Sequence, residues 1–167
     1  MLLTHQQIQQ RVQQMANDIN QDLRGEEVVF IGILNGAFMF FADLLKHINL
    51  KTKVSFVQLS SYNETSTSSW KIIFVKELDL NIEGKNVIVV DDIIDTGRTL
   101  KYFVDYLSNK KPLSIRTAVL LDKKSKREVK FEADYVWFEI PPYFVFGYGL
   151  DNIGWYDRNL SDIYIKN

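Results

Sequence analysis

Two runs constrain this chain more than any other feature: Val28 to Leu34 and Asn86 to Val90 are short, apolar and rich in β-branched residues. A strand with one wet face alternates polar and apolar side chains; a strand without that alternation is covered on both faces. Val54 to Leu59 reads the same way, and Lys71 to Val75, Ile115 to Leu121 and Tyr135 to Ile140 read as further strands. Between them lie segments with helical spacing. Ile8, Val12, Met15, Ile19 and Leu23 recur at helical intervals behind a Thr4 to Gln7 capping-box spacing, and Gly25 is a natural stop. Phe38 to Ile48 and Arg98 to Leu107 read as helices. Strands alternating with helices predict an α/β fold, a mostly parallel twisted sheet flanked by helices. Residues 1–167 carry no repeat, linker or low-complexity stretch, so one domain is expected.

Composition removes several function classes. There is no cysteine, which excludes disulfides, thiolate catalysis and Cys-based zinc sites. A net charge of -1 gives no bulk attraction to nucleic acid or to an anionic membrane. The opening MLLTHQQIQQ lacks the basic and apolar regions of a signal peptide, and no run is long and apolar enough to span a bilayer, so a cytoplasmic protein is expected. Ser60 to Ser69 is polar, rich in Ser and Thr and without apolar period, and reads as a mobile loop. Tyr143 to Asn167 reads as aromatic and irregular.

In a parallel sheet, ligands bind beyond the carboxyl ends of the strands. At one such end stands the most informative stretch, Val87-Ile88-Val89-Val90-Asp91-Asp92-Ile93-Ile94-Asp95-Thr96-Gly97-Arg98-Thr99-Leu100. A buried strand ends in two carboxylates, and a loop rich in Thr and Gly leads into a helix. Gly97 lets the backbone approach a ligand closely, and the helix start offers unpaired N–H groups, a cradle for a phosphate monoester. Asp91 and Asp92 repel phosphate but suit hydroxyls or a metal ion on the same ligand. A phosphate and a vicinal diol in one molecule describe a ribose phosphate. The plainer readings are acids capping a helix, or the acidic site of a phosphorelay receiver or haloacid-type phosphatase; the Lys and Thr/Ser layout those sites need is missing. No GxxxxGK[ST] motif is present, which argues against a P-loop nucleotidase.

The same stretch resembles the phosphoribosyl-pyrophosphate signature of type I phosphoribosyltransferases, and three other segments resemble the hypoxanthine–guanine branch. Ile33-Leu34-Asn35-Gly36, followed by Phe40-Phe41-Ala42-Asp43-Leu44, is similar to the turn that binds pyrophosphate through backbone amides across a cis peptide, here Leu34–Asn35 by position. Most members have Lys or Arg where this chain has Asn35. Ser61-Tyr62 is similar to a pair on a loop that closes over the active site. Leu120-Leu121-Asp122-Lys123, Phe138-Glu139-Ile140-Pro141 and Phe144 to Asp151 are similar to the purine-binding segments. Tyr156-Asp157-Arg158-Asn159-Leu160 resembles a Tyr-x-Arg-x-Leu motif, set one residue further from Asp151 than in relatives. The likeness runs from about Ile33 to Leu160.

That resemblance implies the type I fold with a small hood formed by the terminal segments, a homo-oligomer (dimer or tetramer), and Mg²⁺ as cofactor. It implies phosphoribosyl pyrophosphate and a 6-oxopurine as substrates, with no nucleic acid or membrane partner. Asp95 is implied as general base. Asp91 and Asp92 would hold the ribose hydroxyls, directly and through Mg²⁺, and Asp95, Thr96, Gly97, Arg98 and Thr99 the 5′-phosphate. Leu34, Asn35, Gly36 and Arg158 would hold pyrophosphate. Ile93, Lys123, Phe144, Val145 and Asp151 would form the purine site, with Asp151 also a metal ligand. Two alternatives stay open: a non-catalytic regulator that senses the same ligand, and a transferase preferring xanthine or a pyrimidine.

Overall fold

The computed structural model describes residues 1–63 and 70–166. Eight strands and three α-helices follow in the order α1 (His5–Asp22), β1 (Glu27–Leu34), α2 (Phe38–Lys46), β2 (Lys51–Asn63), β3 (Trp70–Lys76), β4 (Asn86–Ile94), α3 (Arg98–Ser108), β5 (Ser114–Asp122), β6 (Tyr135–Glu139), β7 (Val145–Phe146) and β8 (Tyr164–Ile165). The first six strands form one sheet in the order β3-β2-β1-β4-β5-β6. All its pairings are parallel except β2 with β3.

The apolar runs explain the layering. Val28, Phe30, Ile88, Val90 and Ala118 face α1 and α2, packing on Ile8, Val12, Met15, Phe40, Phe41 and Leu44. Val29, Ile31, Val87, Val89 and Val119 face α3, packing on Leu100, Phe103 and Leu107. Alternate residues of one strand thus serve two cores, which is why β1 and β4 show no polar alternation. The start of α1 is the expected capping box. Thr4 Oγ1 accepts from the Gln7 amide at 3.2 Å, and Gln7 Oε1 accepts from the Thr4 amide at 2.9 Å.

Three boundaries differ from the sequence reading. Residues Ser60 to Asn63, read as the start of a loop, continue β2 and pair with Ile73, Ile72, Lys71 and Trp70 of β3. A hairpin at the sheet edge supplies their backbone hydrogen bonds, so polar residues can remain extended. Ser61 and Tyr62 sit opposite Ile72 and Lys71; their side chains, and the loop read over 64–69, lie outside the described residues. Second, β4 runs past Val90 to Ile94, so Asp91 and Asp92 belong to the strand. Third, the segment after Tyr143 is not irregular throughout. β7 and β8 pair antiparallel, Val145 with Ile165 and Phe146 with Tyr164. Leu3 bridges Ile163, and the His5 amide donates to Asp162 Oδ1 at 2.6 Å. Both terminal segments therefore join in a small hood over the carboxyl end of the sheet. Among the described residues no helix is long and apolar enough to cross a membrane.

Candidate active site

β4 brings two carboxylates to the end of the sheet. Its facing reverses there: Val90 packs with the α1/α2 core and Val89 with the α3 core, yet Ile93 joins the α1/α2 side and Ile94 the α3 side. Asp91 and Asp92 lie at that reversal, and Asp91 Oδ1 accepts from the Asp92 amide at 3.0 Å. Burial, and then the neighbouring charge of Asp92, push the Asp91 carboxyl well above the usual range. Burial also raises Asp92, opposed by hydrogen bonds and by the positive charge of Arg158. A buried carboxylate beside a half-buried one is costly unless something positive or hydroxylic meets them.

Beyond them the chain turns into α3. Gly97 is its N-cap with φ of 82°, and a Cβ there would stand 2.9 Å from Arg127 Cδ. Opposite lies the turn after β1, whose Leu34–Asn35 peptide is cis. A Cβ on Gly36 would lie 1.8 Å from Asp92 Oδ2, so only glycine lets this turn approach the carboxylate. These elements enclose a cavity of about 200 Å³ lined by Ile33, Leu34, Gly36, Leu59, Asp91 to Gly97, Thr99 and Leu100. The amides of the first α3 turn, which no helix can satisfy internally, border it.

Asp95 stands at the mouth. One carboxylate oxygen faces Lys123 Nζ at 3.5 Å and Lys126 Nζ at 3.7 Å; the other, Oδ1, has no hydrogen-bond partner. Lys123 is buried, and its amide donates to the Ile94 carbonyl at 2.9 Å. Arg98 does not line the cavity: its side chain pairs with Glu128 at 2.6 Å. Asn35 also lies outside the lining. Phe144, Val145, Asp151 and Arg158 belong to the hood and flank the cavity rather than line it. Val145 is buried in the β7–β8 pair. Phe144 is 44% exposed, with Lys166 Nζ 5.6 Å from its ring centre. Arg158 Nη1 donates to the Gly149 carbonyl at 2.6 Å, and its Nε lies 3.8 Å from Asp151 Oδ1.

The donor set decides what metal the site suits. Among the described residues no three acids or histidines cluster as a cage. What is present is a carboxylate pair on β4 and, in the hood, Asp151, whose Oδ1 has no hydrogen-bond partner and lies 3.8 Å from Arg158 Nε. That fits a hard cation held by one or two carboxylates and completed by ligand oxygens, the habit of Mg²⁺.

A phosphoribosyl transferase domain model matches residues 1–153. The chain is 48% identical to the hypoxanthine-guanine phosphoribosyltransferase of Aquifex aeolicus, covering 99% of this chain and 93% of that protein. The chain belongs to the hypoxanthine–guanine phosphoribosyltransferase family. The Bacillus subtilis family member is 39% identical over 97% of this chain and 89% of its own length. A crystal structure of the Bacillus anthracis family member, with a HEPES molecule in its active site, superposes with a TM-score of 0.94 at 42% identity, covering all of this chain and 98% of that one.

As a member of this family the chain has site features that its motifs did not disclose. Lys123 opens a basic stretch that ends at Arg127, whose side chain is largely buried. Its Nη2 donates to the fully buried Asp122 at 2.5 Å, and its Nη1 to the Asp95 carbonyl at 3.0 Å. The Glu128 amide donates to the Thr96 carbonyl at 3.0 Å. The segment that carries Lys123 is thus stitched to the loop between β4 and α3. The only available signal was Asp122 ending a strand five residues before an arginine. Leu59 and Gly149 were missed as well, since nothing local marks them.

Proposed function

We propose that this chain transfers the phosphoribosyl group of phosphoribosyl pyrophosphate to N9 of hypoxanthine or guanine, giving IMP or GMP and pyrophosphate. One observation carries the reading: the β4 carboxylates, the amide turn of α3 and the Leu34–Gly36 turn converge on one cavity, with Asp95 and Lys123 paired at its mouth. The loop from Asp95 to Thr99 binds the 5′-phosphate through its amides, Gly97 and the Thr hydroxyls, with Arg98 contributing backbone. Asp91 and Asp92 accept from the ribose hydroxyls, the contact that makes burying Asp91 beside a second carboxylate tolerable. Leu34, Asn35 and Gly36 hold pyrophosphate from one side and Arg158 from the other. Asp151 would hold a Mg²⁺ on the pyrophosphate group, and Asp91 and Asp92 a second one at the ribose hydroxyls; the ions would supply Lewis-acid stabilisation of the leaving pyrophosphate.

In the displacement, the N9 lone pair forms a bond to the anomeric carbon as the bond to pyrophosphate breaks. Asp95, which lines the cavity, takes the proton from N7. Its charge also offsets the cation developing on the sugar. Phe144 stacks on the purine, Ile93 lies beneath it, and the Val145 backbone reads its edge. Lys123 has three donors and no acceptor, so it pairs with a carbonyl at C6, and with the N7 lone pair once that proton has left, and rejects an amino group at C6. Ser61 and Tyr62, at the end of β2, help to exclude water from the site.

The test is a turnover panel of hypoxanthine, guanine, xanthine, adenine and orotate, each with phosphoribosyl pyrophosphate and Mg²⁺. Turnover of hypoxanthine or guanine, with adenine roughly 10⁴-fold worse, is expected. Adenine turned over as well as hypoxanthine removes Lys123 as the O6 reader. No turnover of any base, with phosphoribosyl pyrophosphate still bound, identifies a sensor instead.

A further inference from the structure

One buried tyrosine is used by no step above. Tyr148 is fully buried in the hood, and its hydroxyl donates to Asp43 Oδ2 of α2 at 2.7 Å. Gln9 Nε2 of α1 donates to the same oxygen at 2.6 Å, and Lys46 Nζ holds Asp43 Oδ1 at 2.7 Å. Burial and then the bond to Asp43 push the Tyr148 hydroxyl far above the ordinary tyrosine range. The three bonds to Asp43 outweigh its own burial and lower its carboxyl. The pair therefore keeps one arrangement, phenol to carboxylate.

The pair closes a circuit. The pyrophosphate turn at Leu34–Gly36 leads within two residues into α2, and α2 carries Asp43. Asp43 holds Tyr148, and the next residue, Gly149, returns to the turn. A Cβ on Gly149 would stand 2.2 Å from the Gly36 carbonyl oxygen, so the two backbones touch with no side chain between them. Gly149 is also locked to Arg158, its amide donating to the Arg158 carbonyl at 2.9 Å and its carbonyl accepting from Arg158 Nη1 at 2.6 Å. Tyr148 lies at positive φ, 51°, which a non-glycine residue holds only when its surroundings insist.

We propose that Tyr148, anchored by Asp43, is a positioning residue for the pyrophosphate subsite: it sets Arg158 and the hood backbone against the Leu34–Gly36 turn. The inference rests on the assignment of that turn and Arg158 to pyrophosphate. It separates two halves of the active site, because the 5′-phosphate loop is not part of the circuit.

The experiment compares wild-type protein with Tyr148→Phe, which removes one oxygen and keeps the ring. Two readings are made: the KM for pyrophosphate in the reverse reaction with IMP, and the Kd for IMP by calorimetry. A bond to a charged acceptor corresponds to roughly tenfold or more in an equilibrium. We expect KM for pyrophosphate to rise about tenfold in Tyr148→Phe, with the Kd for IMP within about twofold of wild type. Asp43→Asn should likewise raise the KM for pyrophosphate and leave the Kd for IMP near wild type and, combined with Tyr148→Phe, add less than the sum. If Tyr148→Phe does not fold, Asp43→Asn alone decides by the same two readings. A lowered melting temperature with unchanged KM for pyrophosphate makes the pair merely structural and overturns the inference. Equal losses for pyrophosphate and IMP overturn it too. Wild-type protein without affinity for pyrophosphate overturns the subsite assignment, and the inference with it.

Discussion

The turn between β4 and α3 and the hood serve the same cavity but are built in opposite ways. In the turn, Gly97 is the only residue from Asp91 to Thr99 with positive φ, and the path follows from a strand, a short loop and a helix start. The hood holds Tyr148, Ile153, Trp155 and Asp157 at positive φ, four of the five such non-glycine residues described. Its shape is imposed from afar, by Leu3, His5 and Asp43. A site can thus combine a part specified by local sequence with a part specified by contacts across the whole chain.

Five measurements sharpen or break that contrast. Removing divalent metal with EDTA should abolish turnover, and added Mg²⁺ should restore it; full activity after chelation ends the role given to Asp91, Asp92 and Asp151. Next in size is Asp95→Asn, with a fall in kcat of roughly 10²–10⁴-fold and an unchanged circular-dichroism spectrum. A kcat near wild type would remove the general base from the turn.

Arg127→Met strands the buried Asp122 carboxylate and should cost about 3–5 kcal/mol, read as a lower Tm. The double variant with Asp122→Leu should recover most of that loss; if it does not, the pair is not what stitches the two segments. Lys123→Met should raise KM for hypoxanthine by about 10- to 150-fold, the equivalent of roughly 1.5–3 kcal/mol, and erode discrimination against adenine. The smallest effect belongs to the hood surface. Trp155 is 68% exposed, with the Arg158 guanidinium 5.2 Å from its ring centre, so Trp155→Ala should change stability by about 1 kcal/mol or less. A larger loss would mean that the hood depends on its outer aromatics rather than on its buried anchors.

The same contrast explains what the sequence disclosed. The sheet and its helices were legible because Val28–Leu34 and Asn86–Val90 lack polar alternation and Thr4–Gln7 caps a periodic helix. The Asp91–Thr99 turn was legible because its chemistry is contiguous. The strand character of Ser60–Asn63 was not, since their composition is that of a loop and only pairing with β3 makes them extended. Nor was the β7–β8 pair, whose partners lie some twenty residues apart in an aromatic stretch. Arg127 escaped because a basic run looks the same whether it faces water or a buried aspartate. Tyr148 escaped because Asp43 is a hundred residues away, and no local pattern connects them.

The bridge from Leu3 to Ile163 has a consequence for the birth of the protein. A chain leaves the ribosome N-terminus first, at about 5–20 residues per second, so residue 3 waits roughly ten to thirty seconds for residue 163. The sheet and the turn between β4 and α3 can collapse during that interval. The lobe that closes the cavity cannot, because one of its strands has yet to be made. Nascent chains therefore form the turn between β4 and α3 before β8 exists, and the candidate site is complete only once β8 has been made.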